Sequence, residues 1–334
     1  MSTATDSQST LITDSDWAIQ GMGAVPEKGQ FRVRCNTEGD CWLWSNRSVW
    51  ILRSTAQWHQ VYAIDGDDRQ SIGGVFFLSA LVGWVTRPGA LYQTKDGGTT
   101  WTRINIMENM NPSDLHFRDE QMGWIVGSRY RPLVKGDPMV NNAMSRDLKS
   151  IIAGVILRTS DGGTTWQAHN MNSTIHGFDT VTFRNNTGVT LGPIGCFVTQ
   201  DGGRQWTEIL RKFRDDDTGE VPEPTSAFLL DEKRGWITLG GAEIIATQDG
   251  GKSWHFIKDP KATPDTLAEI SFVDSINGLA LSHDLGGGKL FKTLDGGKTW
   301  LEIVTYDRFQ SISLQGKERG ILLSKESIYS IRKR

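Results

Sequence analysis

A chain of 334 residues, 37% of them hydrophobic, is long enough to bury a large core. A formal net charge of −3 excludes partners held by bulk positive charge, so no nucleic acid is expected. No apolar run approaches the roughly 18 residues of a membrane span, and three cysteines, an odd number, exclude a complete disulfide framework.

Residues 1–10 are Ser/Thr-rich without apolar period and are expected to form a disordered tail. They show neither a basic n-region nor an apolar h-region, so the chain as written is expected in the cytoplasm. The stretch Thr13–Gln20 (TDSDWAIQ) then reads as the second half of a phrase that later recurs in full, with its glycines lost. Cys35 and Cys41 flank the turn-like Asn36–Asp40. Two readings stand: reduced thiols in a cytosolic protein, which is favoured, or a disulfide across a hairpin. No metal-ligand spacing accompanies them, and no metal or cofactor is called for.

From Arg53 onward the chain repeats. A shortened copy, Arg53–Trp58, precedes five full copies of Thr-x-Asp-Gly-Gly-x-x-Trp: Thr94–Trp101, Thr159–Trp166, Thr199–Trp206, Thr247–Trp254 and Thr293–Trp300. Counted from Trp58, the Trp spacings are 43, 65, 40, 48 and 46 residues. A period of this size signals a repeat architecture and suits four strands per repeat. Within each repeat an apolar run comes first: Gly74–Leu78, Leu115–Arg118, Val181–Phe183, Ala227–Leu230, Ile270–Val273. A second run is opened by Gly-Trp (Gly83-Trp84, Gly123-Trp124, Gly235-Trp236), a third leads into the phrase, and a fourth begins at its Trp. Alternating β-rich runs punctuated by turns predict strands throughout.

The phrase itself predicts a hairpin. Glycines accept positive φ without steric cost, an Asp can take backbone N–H groups of its own turn, and the Trp can fold over it. Asp96, Asp161, Asp201, Asp249 and Asp295, with Trp101, Trp166, Trp206, Trp254 and Trp300, are therefore read as structural, since a catalytic residue need not recur five times. At the C-terminus Ser311–Leu314, Gly320–Ser324 and Ser327–Ile331 supply three strands, and the chain ends where a fourth should begin. The strand at Trp17 is expected to complete that last repeat. The fold class expected is an all-β, seven-bladed propeller, one domain over 11–334, closed by its N-terminal strand.

The spacing of 65 marks an insertion at 127–152. Together with the long connections Phe213–Pro224 and Lys258–Pro264 it should open on the face opposite the repeated turns, where function is placed. Arg129, Tyr130, Arg131, Lys135, Arg146 and Lys149 are the candidate contacts, a cationic surface suited to an acidic or membrane-protein segment of a protein partner. A monomer is expected.

These phrases resemble the Asp-box, or BNR repeat, of sialidases, sortilin-type receptors and xyloglucanases. The wording Gly123-Trp-Ile-Val-Gly127, and Gly235-Trp-Ile-Thr-Leu-Gly240 followed by Thr247–Trp254, resembles the photosystem II assembly and stability factor family over nearly all of residues 70–305. That resemblance implies a propeller that binds nascent membrane subunits through a basic face, delivered to the thylakoid lumen or periplasm, a location open to this chain if a leader has been removed. The enzyme alternative is a sialidase-like glycosidase or another small-substrate enzyme at the axial channel. Here Phe31-Arg32-Val33-Arg34 lacks the proline of the sialidase Phe-Arg-Ile-Pro phrase, and Tyr306-Asp307-Arg308 lacks a Glu context. The six histidines show no zinc spacing, and His116 reads as a core residue before a channel one. Catalytic residues are therefore not assigned.

Overall fold

The structure, a computed structural model, describes residues 11–36, 39–52, 57–65, 70–132, 149–171, 177–193, 195–215, 218–240, 243–257, 267–282, 288–303, 307–315 and 319–334. Its strands form seven antiparallel sheets, and the fold is a seven-bladed β-propeller without α-helix among the described residues. Blade one comprises Arg32–Cys35, Cys41–Trp44, Ser48–Leu52 and Trp58–Ala63; blade two Val75–Phe77, Gly83–Arg87, Ala90–Thr94 and Thr102–Asn105. Blade three comprises Met110–Phe117, Gly123–Pro132, Lys149–Thr159 and Gln167–Met171; blade four Thr180–Arg184, Thr187–Gly192, Gly195–Thr199 and Thr207–Glu208. Blade five comprises Pro224–Leu229, Gly235–Leu239, Glu243–Thr247 and His255–Phe256; blade six Leu267–Phe272, Gly278–Ser282, Leu290–Thr293 and Leu301–Ile303. The chain forms two compact units, residues 64–224 with blades two to four and residues 1–63 plus 225–334 with the others.

Blade seven is built from both ends of the chain. Phe309–Gln315, Arg319–Ser324 and Ser327–Lys333 are followed in the sheet by Trp17–Ala24, with Trp17 opposite Lys333 and Ala24 opposite Ser327. The N-terminal strand thus closes the last blade. A fifth strand that the sequence does not announce, Leu11–Thr13, adds to its outer edge, pairing Ile12 with Ile19. The expected disordered tail, 1–10, lies outside the described residues.

The Gly-Trp pairs follow from packing. A Cβ at Gly83 or Gly123 would run into the Phe77 or Phe117 ring of its own blade's first strand, and one at Gly235 into Leu229. The adjoining Trp reaches the other way. Trp84 stacks on Phe117 at 3.8 Å between ring centroids, Trp124 on Phe183 at 3.5 Å and Trp236 on Phe272 at 3.9 Å, in each case the Phe of the next blade. The phrase Trp meets that Phe edge-on: Trp166 on Phe117, Trp206 on Phe183, Trp300 on Phe272. Such an aromatic triple seals blade two to three, three to four and five to six, with the large buried areas of Trp and Phe as its main stabilisation.

Side-chain latches supplement the stacking. In successive first strands Glu269 and Ser271 accept the Ile312 and Leu314 N–H groups at 3.1 and 3.0 Å. Ser311 and Ser313 in turn accept Val33 and Cys35 N–H at 3.1 and 3.0 Å. Asp114 does the same for Val181 N–H at 3.1 Å and also takes the Thr180 hydroxyl at 2.8 Å. Cys35 and Cys41 are joined in a disulfide across the first hairpin of blade one, the less favoured of the two sequence readings, because the register sets them directly opposite each other.

Candidate functional site

At one end of the blades every repeated phrase folds into the same polar cage. In blade two the Thr94 hydroxyl donates to Asp96 Oδ1 at 2.8 Å and accepts the Gly98 N–H at 2.8 Å. Asp96 also takes the Thr100 N–H at 2.9 Å and the Thr100 hydroxyl at 2.6 Å. Gly97 and Gly98 stand at φ 72° and 88°, where a side chain would be strained, and the Gly97 N–H ties the turn to Leu81 O at 2.8 Å. Blades three, five and six repeat these bonds at Asp161, Asp249 and Asp295, and blade four keeps them at Asp201 without the hydroxyl because Gln205 replaces Thr or Ser. The Thr100 hydroxyl and N–H, with Thr94, hold Asp96 at about 2; Asp161 and Asp249 stand at about 2 for the same kind of reason. These carboxylates are fully engaged within their own turns. The Trp residues differ in one respect from expectation. Trp300 donates its N–H to Gly297 O at 3.1 Å, but those of Trp166, Trp206 and Trp254 are buried with no partner among the described residues.

The opposite end of blades two and three holds a cleft of about 920 Å³. Its walls come from five segments. Gln70 and Ser71 enter blade two; Pro88 and Gly89 form the turn between its second and third strands; Arg103 and Asn105 close its fourth; Ile106 and Glu108 lead onward; Asn111, Ser128 and Tyr130 belong to blade three. Backbone bonds brace the walls: Gly89 N–H to Met110 O at 3.1 Å, Ile106 N–H to Gly89 O at 3.3 Å, Tyr130 N–H to Asn109 O at 2.9 Å. Gly89 sits at φ 70°. Among the described residues three amides, three hydroxyls, one arginine and one carboxylate face the space, and their formal charges cancel. The Arg103 guanidinium donates to Asn105 Oδ1 across the outer strand.

Of the predicted contacts, Tyr130 lines this cleft. Arg129 and Arg131 alternate with it along the strand and fall on the other face, Arg129 half-buried with its Nε without a hydrogen-bond partner among the described residues. Lys135 and Arg146 lie outside the described residues, and of Lys149 the strand position alone is described. Part of the expected loop insertion is strand, because the second and third strands of blade three run on to Pro132 and from Lys149, pairing Tyr130 with Ile151. Arg103, Asn105 and Asn111 went unnoticed in the sequence. The amide-rich connection Asn105–Asn111 is the one signal that pointed to them.

Two other titratable side chains lie outside the cleft. His116 packs at 4.7 Å from Phe76 and 5.9 Å from Phe183. Glu269 is pushed up to about 7 by burial, against the Ile312 N–H, the Ser311 hydroxyl and the charges of Arg32 and Arg34. Among the described residues no group of three or more His, Cys, Asp or Glu is placed to hold a metal ion.

No protein-family model matches the sequence, and no curated protein matches it. Solved structures do. The chain is similar to YCF48. A structure of YCF48 bound to D1 peptide shares 18% identity over 97% of this chain and 99% of that one, at a TM-score of 0.66. YCF48 from Cyanidioschyzon merolae gives 18%, 95%, 99% and 0.67 in the same terms. The propeller fold expected from the repeats is thus shared in three dimensions with YCF48. Enzymes share the fold as well: virginiamycin B lyase from Staphylococcus aureus at 13% identity, over 95% of this chain and 99% of that one, TM-score 0.65, and the GH74 enzyme of Niastella koreensis at 13%, over 92% of this chain and 53% of the enzyme, TM-score 0.64.

Proposed function

We propose that this propeller is a binding scaffold, similar in role to an assembly factor, that holds a segment of a protein partner in the cleft of blades two and three. The observation that carries this reading is the lining. Amides and hydroxyls that both donate and accept, beside a tyrosine ring, suit a peptide main chain with its alternating N–H and C=O groups. Among the described residues Glu108 is the single carboxylate lining the cleft, whereas glycoside hydrolysis through paired acids uses two. The peptide carried by YCF48 supports the same reading for a chain of the same fold.

The disulfide supports an oxidising compartment, such as a periplasm or lumen, over the cytoplasm expected from the N-terminal residues. Cys196 is the one free thiol, buried and pushed well up from its ordinary value by that burial. Protein isolated under alkylating conditions should therefore label once per chain after denaturation, and three times after reduction; three labels before reduction would return the protein to a reducing compartment.

The binding reading is tested by panning a random dodecapeptide library against the full-length protein. Enriched peptides are expected to lose roughly fivefold in affinity with Tyr130→Ala or Asn111→Ala, each lost contact being worth about 1 kcal/mol. Removing 133–148 asks separately whether the insertion contributes. Peptides that bind both cleft variants as they bind the parent would place the site elsewhere, and a library that yields no binder would remove the protein-segment reading.

A further inference from the structure

The cleft is bounded by the outermost strand of blade two, Thr102–Asn105, whose far edge no described strand covers. The register pairs Thr102 with Gln93, Arg103 with Tyr92, Ile104 with Leu91 and Asn105 with Ala90. Ile106 N–H bonds Gly89 O in continuation of this ladder. In an antiparallel pair, residues alternate between exchanging both bonds with the neighbour and turning both groups away. Ile104 and Ile106 therefore turn their N–H and C=O inward. Arg103 and Asn105 turn theirs outward, to the open edge. The same two residues line the cleft with their side chains.

Blade seven shows what such an edge does in this protein. Its fourth strand is Trp17–Ala24, and Arg334 N–H bonds Asp16 O at the start of the ladder to Ser327–Lys333. Alternation from that bond turns the groups of Ile19 outward, where Ile12 of Leu11–Thr13 lies opposite. A short extended segment thus completes the outer edge of one blade, using the groups that Arg103 and Asn105 leave open in another.

We propose that an extended segment of the protein partner adds as a fifth strand to Thr102–Asn105, pairing with the main chain of Arg103 and Asn105 while its side chains enter the cleft. This rests on the binding reading above and specifies its geometry. Main-chain pairing supplies affinity with little demand on sequence, and the cleft, reached by alternate side chains, supplies selectivity. The balanced charge of the described lining favours a segment of polar, uncharged side chains on the face turned toward it. The open edge also carries Arg103, a charged residue of the kind that keeps such edges from pairing indiscriminately.

The test uses the peptide that binds the full-length protein most tightly from the library. It is resynthesised twice, with N-methyl groups on alternate residues in one phase and then in the other. Strand addition predicts that one phase loses roughly fivefold or more in affinity and the other retains it, because only one set of amides faces the ladder. On the protein side, Arg103→Pro removes an N–H that the blade itself does not use, and proline is tolerated at edges. Its affinity is expected to fall well below that of Arg103→Ala, which reports the side chain alone. Asn105→Pro against Asn105→Ala repeats the comparison should the first proline disturb the blade, circular dichroism and melting temperature reporting the fold. Equal binding of both N-methylated peptides, with proline and alanine variants alike, overturns strand addition. If Tyr130→Ala still loses binding in that case, the cleft remains the site and the geometry alone is wrong. If no peptide binds at all, both fall together.

Discussion

The two ends of a blade are held by different means. At the end carrying Thr-x-Asp-Gly-Gly-x-x-Trp, hydroxyl, carboxylate and glycine N–H groups satisfy one another within eight residues, as Thr94, Asp96, Gly98 and Thr100 do. At the other end of blades two and three, the walls of the cleft come from segments as far apart as Gln70 and Tyr130. A locally complete turn can be copied without regard to its neighbours. An end that contributes little to closing its own hairpins is free to diverge, and divergence is what a binding surface needs. Variants at the phrase end should therefore change stability and leave peptide affinity of the folded protein alone, while cleft variants should do the reverse.

The largest expected effect is at the aromatic seal. Trp124 is fully buried, stacks on Phe183 and donates its N–H to Gly202 O at 3.2 Å. Trp124→Ala should cost about 3–5 kcal/mol by lost burial and the cavity left behind, read by denaturant unfolding. A loss below about 1 kcal/mol would show that the blades are not sealed by these rings.

Next comes the one place where the phrase has lost its glycines. Before Trp17, Asp14 Oδ1 accepts the N–H groups of Asp16 and Trp17 at 2.9 and 3.1 Å. The remaining closure is long-range: the Lys292 ammonium donates to Asp14 at 2.7 Å and to Asp16 at 2.8 Å. Lys292→Met would take the Lys292 cation from Asp14 and leave Asp16 with Lys333 at 3.5 Å, with an expected loss of about 2–4 kcal/mol. A melting curve unchanged by this substitution would mean that the N-terminal strand closes blade seven by its backbone ladder alone.

These sites also separate what the sequence discloses from what it hides. Five phrases, their spacing and the deficits at both termini specify seven blades and the strand that closes the last, because each is a local pattern or a count. The meaning of Gly-Trp is not local. Gly123 makes room for Phe117, and Trp124 rests on Phe183, in the next blade. The latch from Ser311 to Val33 spans 278 positions. The fifth strand, Leu11–Thr13, is three residues long and too short to show a period. Of the cleft, Tyr130 was legible because it begins a conspicuous insertion, whereas Arg103 and Asn105 sit in an ordinary fourth strand and acquire their place only when blade three folds beside it.

Glu269 tests the latches between the two ends. Its value is raised from 4.5 to about 7, chiefly by burial, with Ile312 N–H, the Ser311 hydroxyl, Arg32 and Arg34 working in the opposite sense. A carboxyl raised by folding contributes stability that is fully present below its ordinary value and is lost as pH climbs through the folded one. Glu269→Gln keeps an acceptor for the Ile312 N–H and cannot ionise. It should match the parent near pH 4 and exceed it by about 1–3 kcal/mol at pH 8. A difference that stays constant across that range would mean that Glu269 is ionised in the fold throughout.

The smallest effect belongs to the most repeated residue. Asp96 stands at about 2, first through the Thr100 hydroxyl, then the Thr100 N–H and the Thr94 hydroxyl, all of which favour the charged form. A carboxyl lowered by folding contributes stability that is present above its ordinary value of 3.8 and is lost as pH falls toward 2. Asp96→Asn removes that dependence at one turn of several. The melting temperature near pH 6 should drop slightly, and its fall between pH 4 and 2 should be shallower than the parent's. The Thr102–Asn105 strand begins just after this turn, so the same variant bears on the cleft. If Asp96→Asn also weakened peptide binding, the two ends of blade two would be coupled along that strand, and the division of labour between them would fail where it is most directly stated.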